Sequence, residues 1–389
     1  MFGVLAVVAA LLIGGLSQAA AVSAAPACAS APAQPSSAVS WPQQRLDYAR
    51  VWPLTQGQHA TVAVVDSGVD GRQRQLAGRV EDGVDVLHGT GNADTDCVGH
   101  GTFVAGIVAA APVSGVGFAG VAPAATILPI RQTDVDENGT ADGLASGLRA
   151  AVDGGASIVN VSVVSTTLTP ALTQAVAYAE QHDVLVVAAA ANDAQVGNPI
   201  SYPAASPTVL AVAAVGQNDQ RSGFSEVGHF IALAAPGTDV VSVGPAGPGQ
   251  LVGSGTSYAA PFVSGVAALV RAYHPDLTAA QVRHRLEVTA DHPPVALPDP
   301  QVGWGVIDPY AAVTAVLPEE HESGGVSPLP SSAPPVAQAA AASPPPTRPL
   351  LVAAVCAAIA VLAAVASGVV RRGRRRKWRT GDDQVIEGA

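Results

Sequence analysis

Three residues have the side-chain types to turn a hydroxyl into a nucleophile: Asp66, His100 and Ser257. Asp66 lies in "VAVVDSGVD", where an apolar run ends at a carboxylate. His100 opens "HGTFVAGIVAA" after a glycine, and Ser257 sits in "GSGTSYAAPFVSGVAALV". Taken singly, each has an ordinary explanation as a turn residue, a surface or capping histidine, and a helix cap. Taken in the order Asp, His, Ser, they match one of the chain orders of a nucleophilic triad. In such a set a carboxylate orients an imidazole, the imidazole takes the hydroxyl proton, and the oxygen attacks.

The neighbours of Ser257 fit that chemistry better than a simple cap. A serine at a helix N-terminus sits at the positive end of the dipole, where backbone N–H groups lack internal partners. Its own N–H can then face an oxyanion. Gly255 and Ala259 leave room for a carbonyl within about 3 Å of the hydroxyl, a near-attack distance. Pro261 is read as early in the helix, where a missing N–H costs least.

The elements around these residues alternate. "TVAVVD", "TILPIRQ", "SIVNVSVV", "VLVVAAAA" and "TVLAVAAV" read as buried strands. Between and after them come helical patterns: "HGTFVAGIVAAA", "TADGLASGLRAAVDGG", "TPALTQAVAYAEQH" capped by Thr169 with Pro170 first, Ser257–Tyr273, and "DLTAAQVRHRLEVTA" capped by Thr278. Continuous apolar strands alternating with helices predict an α/β domain whose mainly parallel sheet is covered on both faces. Ligands of such sheets gather at the carboxyl ends of the strands, where Asp66 lies.

Two apolar segments lie outside that pattern. Phe2 to Ala25 carries no charge and ends in "AVSAAPA", so residues 1–25 read as a signal peptide despite lacking a basic start; an uncleaved anchor is the other reading. Residues 350–370, 21 without charge, would span about 31 Å as a helix, one bilayer core. The following "RRGRRRKWR" marks that side as cytoplasmic, giving a single-pass cell-membrane protein with its main domain outside. The tail 371–389 carries 7 basic and 3 acidic residues, and the remainder nets −15, which argues against a nucleic-acid partner. The organisation expected is signal peptide 1–25, small Pro-rich extension 26–40, catalytic domain 41–317, Pro/Ala/Ser linker 318–349, transmembrane helix 350–370 and basic tail 371–389. Of the three cysteines, Cys356 falls in the span. Cys28 and Cys97 fall outside in an oxidising setting and can pair, closing a loop of about 70 residues worth about 4 kcal/mol. Lipidation of Cys28 is the competing reading, weakened by the preceding "APA".

"VAVVDSGVD", "GHGTFVAGIVAA" and "SGTSYAAPFVSGVAAL" resemble the three active-site motifs of subtilisin-like serine proteases, and the similarity runs from about Thr61 to Val313. "VWPLTQG", a cysteine three residues before the histidine, "VIDPYAAVTA", the stalk and the C-terminal span are similar to the mycosins, membrane-anchored subtilases associated with type VII secretion. The resemblance implies a subtilisin-like three-layer fold and endopeptidase activity; no cofactor is expected, and no carboxylate cluster has the pattern of a metal site. It implies roles for Asp66 as orienter, His100 as base then acid, Ser257 as nucleophile and Asn192 as oxyanion donor. It also places Ser162, Val163 and Val164 on the substrate strand, and makes secretion-complex components the expected partners besides protein substrates. Two departures stand out. Ala191 precedes Asn192 where the family usually has glycine; if that backbone needs positive φ, alanine strains it. Val163 and Val164 stand in a segment usually Ser-Leu-Gly-Gly, which predicts a narrowed first pocket and small residues on the acyl side of the cut. The short extension leaves no room for a folded inhibitory prodomain and predicts a strap pinned by Cys28–Cys97 near His100. "DVDENGT" (134–140) lacks the bidentate acid of a Ca²⁺ loop.

Two further readings belong to other classes. One is a mainly structural subunit of a secretion complex, with weak or dispensable protease activity. The other is an α/β-hydrolase esterase, which requires the serine first in the chain and Gly-x-Ser-x-Gly; here the order is reversed and Ala259 replaces the last glycine.

Overall fold

The computed structural model describes residues 28–134 and 140–320. The expected signal peptide, most of the linker, the 350–370 span, the basic tail and residues 135–139 lie outside the described residues. Among the described residues no helix is long and apolar enough to cross a membrane.

Nine strands and seven α-helices follow one another among the described residues. The strands are β1 Thr61–Asp66, β2 Val84–Asp85, β3 Thr126–Arg131, β4 Ile158–Val161, β5 Leu185–Ala189, β6 Leu210–Val215, β7 Ile231–Pro236, β8 Val240–Val243 and β9 Gln250–Gly253. The helices are α1 Trp41–Leu46, α2 His100–Ala109, α3 Ala141–Asp153, α4 Pro170–Gln181, α5 Thr256–Tyr273, α6 Ala279–Val288 and α7 Pro309–Thr314. Seven strands form one sheet in the order β2-β3-β1-β4-β5-β6-β7, every paired neighbour parallel. β8 and β9 form a separate antiparallel pair.

Alternation along β1 shows why the sheet needs cover on both sides. Val62 and Val64 enter a core with α2 and α5, whereas Ala63 and Val65 enter a second core with α3 and α4. Helices therefore fill both faces, as the uninterrupted apolar strands require. The caps follow the sequence: Thr140, Thr169 and Thr278 each accept a backbone N–H at the start of α3, α4 and α6, and Thr278 with Gln281 completes a capping box. The β4 strand ends at Val161, three residues before the expected end of that run. β2, β7 and the β8–β9 pair complete the architecture beyond the strands read from the sequence.

Residues 28–40 lie along the surface as a strap. Ala29 N–H donates to the Cys97 carbonyl at 2.8 Å, Ala31 N–H to Pro245 at 2.9 Å, and the Pro32 and Ser36 carbonyls accept from Gly249 and Gly117. Position 117 must be glycine, since a Cβ there would lie 2.2 Å from the Ala38 carbonyl oxygen.

Candidate active site

Asp66 ends β1, and the Gly68 carbonyl just after it lies against Gly101 at the start of α2. Its carboxylate is fully buried and receives His100 Nδ1 at 2.8 and 3.0 Å, along with the Ser67 N–H at 2.8 Å. This close approach depends on Gly101, where a Cβ would sit 2.1 Å from the Gly68 carbonyl oxygen and 3.1 Å from Asp66 Cβ. His100 is the first residue of α2 and 5% exposed.

Asp96 fixes that helix start. Gly99 at the cap position offers no side chain, so the buried Asp96 carboxylate serves instead. It accepts from Gly99 N–H at 2.8 Å, Thr102 N–H at 2.9 Å, Thr102 Oγ1 at 2.7 Å and Ser67 Oγ at 3.0 Å. Ser67 Oγ in turn accepts Gly101 N–H at 3.0 Å, tying the residue after Asp66 to the residue after His100. Burial raises the Asp96 carboxyl above its ordinary value, against the opposing effect of its bonds from Gly99 and Thr102. Sequence reading missed Asp96, although an acid just ahead of a helix start is a capping signal.

Ser257 is the second residue of α5 and 1% exposed. Its neighbour Tyr258 packs on the His100 ring, centroids 5.3 Å apart, and on Phe103 at 4.4 Å. The imidazole held by Asp66 thus lies against the first turn of the helix that carries Ser257. The Ser257 hydroxyl makes no hydrogen bond among the described residues.

Asn192 approaches the same helix tip after β5. Its Oδ1 accepts Thr256 N–H at 2.8 Å and Thr256 Oγ1 at 3.0 Å, which turns its NH₂ group away from Thr256. The preceding Ala191 has φ +84°, so this backbone does require the left-handed region, and alanine adopts it. Left-handed backbone costs a non-glycine residue about 1–2 kcal/mol. The amide stays anchored all the same, with Ala191 N–H donating to Thr256 Oγ1 at 3.0 Å.

The expected substrate strand is placed unevenly. Val163 is fully buried in the α3–α4 core, and Val164 is partly buried against the opposite core. Ser162 is 2% exposed, and its hydroxyl donates to the Ser257 carbonyl at 2.8 Å. Of the three, only the Val164 side chain belongs to a residue with appreciable exposure. The Ser165 backbone pairs with Tyr202, joining this strand to the chain after Asn192. Below Ala191 lies Glu226, fully buried, its N–H on the Ala191 carbonyl and one carboxyl oxygen receiving Ser201 Oγ at 3.1 Å. No periodicity or motif pointed to Glu226.

Cys28 and Cys97 form a disulfide with Cα atoms 4.4 Å apart, three residues before His100. It lines an open cleft of about 860 Å³ together with Ser67, Asp70, Arg131 and Thr133.

A family model described as the subtilase family matches residues 57–305. Mycosin-4 of Mycobacterium tuberculosis (strain ATCC 25618 / H37Rv) is 39% identical over 334 residues, covering 75% of this chain and 72% of that protein. Thermitase of Thermoactinomyces vulgaris is 38% identical over 249 residues, covering 64% of this chain and 87% of its own. The solved structure of the MycP3 protease from the type VII (ESX-3) secretion system aligns with a TM-score of 0.66 at 35% identity, covering 74% of this chain and 92% of that one. These likenesses span the sheet, both helical layers and the three motifs, and the chain belongs to the subtilase family of serine proteases and, within it, to the mycosins.

Proposed function

We propose that the chain is a membrane-anchored, extracytoplasmic serine endopeptidase acting through Asp66, His100 and Ser257, in association with a type VII secretion complex. The observation that carries this reading is the buried Asp66–His100 pair packed through Tyr258 against the helix tip bearing Ser257. In this mechanism His100 removes the Ser257 proton as Oγ attacks a peptide carbonyl, while Asp66 holds the imidazole at Nδ1 and stabilises the imidazolium. The developing oxyanion is met by the Ser257 N–H, at the positive end of α5, and by the Asn192 NH₂ group. His100 then protonates the leaving amine, and water attacks the acyl-enzyme by the same route. Only Val164, of the three strand residues, is partly exposed, and we take it to narrow the space for the acyl-side residue; small side chains are the proposed preference.

Full-length protein in detergent, treated with a fluorophosphonate probe, is expected to label, and the Ser257→Ala variant is not. The same preparation is expected to cleave peptides with alanine on the acyl side of the cut faster than those with phenylalanine. A wild-type protein that never labels would favour the mainly structural role, in which Ser257→Ala restores secretion to cells lacking the protein.

A further inference from the structure

Pro261 lies deeper in α5 than the sequence suggested. Thr256 is the first helical residue, so Pro261 is the sixth, past the turn whose N–H groups are unpaired in any helix. In a regular α-helix the N–H of residue 261 would donate to the carbonyl of residue 257. Proline has no N–H to give, and its ring presses on that same carbonyl. The carbonyl deprived of its helical partner is therefore that of Ser257 itself.

A buried polar chain running from the sheet replaces the missing bond. Ser162 Oγ donates to the Ser257 carbonyl at 2.8 Å and accepts from Asn160 Nδ2 at 2.8 Å. Asn160 Oδ1 in turn accepts from Ser264 Oγ at 2.9 Å, two turns further along α5. Asn160 and Ser264 are fully buried, and Ser162 and Ser257 are 2% and 1% exposed, so no bulk water competes for these groups. A backbone carbonyl can only accept, which fixes the direction of the Ser162 hydroxyl and, behind it, the orientation of the Asn160 amide. Asn160 lies in β4 between two apolar neighbours, where a polar side chain is tolerated only when its partners are all present.

We infer that Ser162, backed by Asn160 and Ser264, is a positioning residue for the nucleophile. It supplies the hydrogen bond that Pro261 removes, so the peptide unit carrying Ser257 is registered to the β4 strand and not only to its own helix. The segment leaving β4 at Ser162 continues to the partly exposed Val164, so one stretch of chain both borders the substrate and holds the attacking residue. This inference rests on Ser257 being the nucleophile, and its test separates the two claims.

Four proteins decide it: wild type, Ser162→Ala, Pro261→Ala and the double variant, each assayed for peptide turnover, fluorophosphonate labelling rate and thermal unfolding. Ser162→Ala is expected to lower kcat and labelling rate about tenfold with KM within about twofold, because it leaves a buried carbonyl unpaired at the reacting residue. Pro261→Ala restores a helical N–H at position 261. In that background the Ser162→Ala loss is expected to shrink to about twofold or less. An equal loss in both backgrounds, or a loss confined to KM, would overturn the inference. Should Ser162→Ala fail to accumulate as folded protein, the double variant is expected to recover folding; a double variant no better folded than the single one would also overturn it. Wild type that labels in a Ser257-dependent way upholds the nucleophile whichever result the Ser162 comparison gives.

Discussion

Glu226 is a buried carboxyl group with no evident place in the chemistry. It is fully enclosed below Ala191, with one carboxyl oxygen on Ser201 and the other without a hydrogen-bond partner among the described residues. Burial, reinforced by the nearby Asp193 carboxylate, pushes its pKa from 4.5 up to about 7. The folded protein therefore keeps this proton across a range in which the unfolded chain has released it. More protons on the native state means that stability falls as pH rises from 4.5 through about 7, then levels off with the carboxylate ionised in place. Glu226→Gln keeps the shape and an acceptor for Ser201 but cannot ionise. It is expected to stabilise the protein by about 2 kcal/mol at pH 8 and to change stability little at pH 5. Urea unfolding at the two pH values checks this, and an equal difference at both would contradict it. Ala191 is a balanced case by comparison. Relief of about 1–2 kcal/mol of left-handed strain in Ala191→Gly is offset by a lost buried methyl of about 0.8 kcal/mol and by glycine's backbone entropy. An alanine can therefore persist where a glycine would be expected.

At the scale of elements, α2 is held from two sides, and the two attachments do different work. Asp96 fastens the helix start through three hydrogen bonds, from Gly99 and Thr102, and a fourth from Ser67 ties it to the residue after Asp66, which sets where His100 stands. The disulfide fastens the strap to the residue after Asp96, joining cysteines 69 positions apart in the chain. Because Asp96 acts without the strap, Cys28→Ser with Cys97→Ser is expected to lower stability by about 2–4 kcal/mol while leaving kcat within about twofold. Thermal unfolding and peptide turnover on the same preparation check both halves; a collapse of turnover in the folded variant would place the strap within the machinery. The strap's pairing was legible because two cysteines outside any span have few alternatives. The β1, β3, β5 and β6 strands were legible from unbroken apolar runs, and α4 and α6 from their threonine caps. β7 was not, since "IALAA" runs straight into Pro-Gly, and its identity as a strand comes from pairing with β6. Ser162 was read only as part of the substrate strand, because sequence gives a residue's place on a strand but not what lies across from it. Only the packing of α5 over β4 shows that it meets a carbonyl. Thr256 was likewise passed over within its own motif, although it anchors Asn192.

The scale of the whole molecule turns on where the domain ends. Arg285 on α6 is 1% exposed, and its guanidinium donates to the Ala312 and Ala315 carbonyls and pairs with Glu320 through Nε at 2.8 Å and through Nη2. The chain thus remains tied to the core as far as Glu320, three residues beyond the 317 boundary expected from sequence. A buried arginine stripped of its carboxylate leaves an uncompensated charge, which typically costs about 3–5 kcal/mol. Ending the chain before Pro318 is therefore expected to destabilise the domain by that order. Ending it at residue 349 keeps Glu320 and deletes the apolar run 350–370 with the basic tail. The longer truncation is expected to match the full-length protein in unfolding temperature and labelling rate, yet to leave the membrane for the soluble extracytoplasmic fraction. Full-length protein is expected to resist alkaline extraction from membranes, with a tag placed after Ala389 shielded from protease added to intact cells. A 1–349 chain that stays in alkaline-washed membranes would refute the C-terminal anchor and shift the attachment to the apolar segment before Cys28.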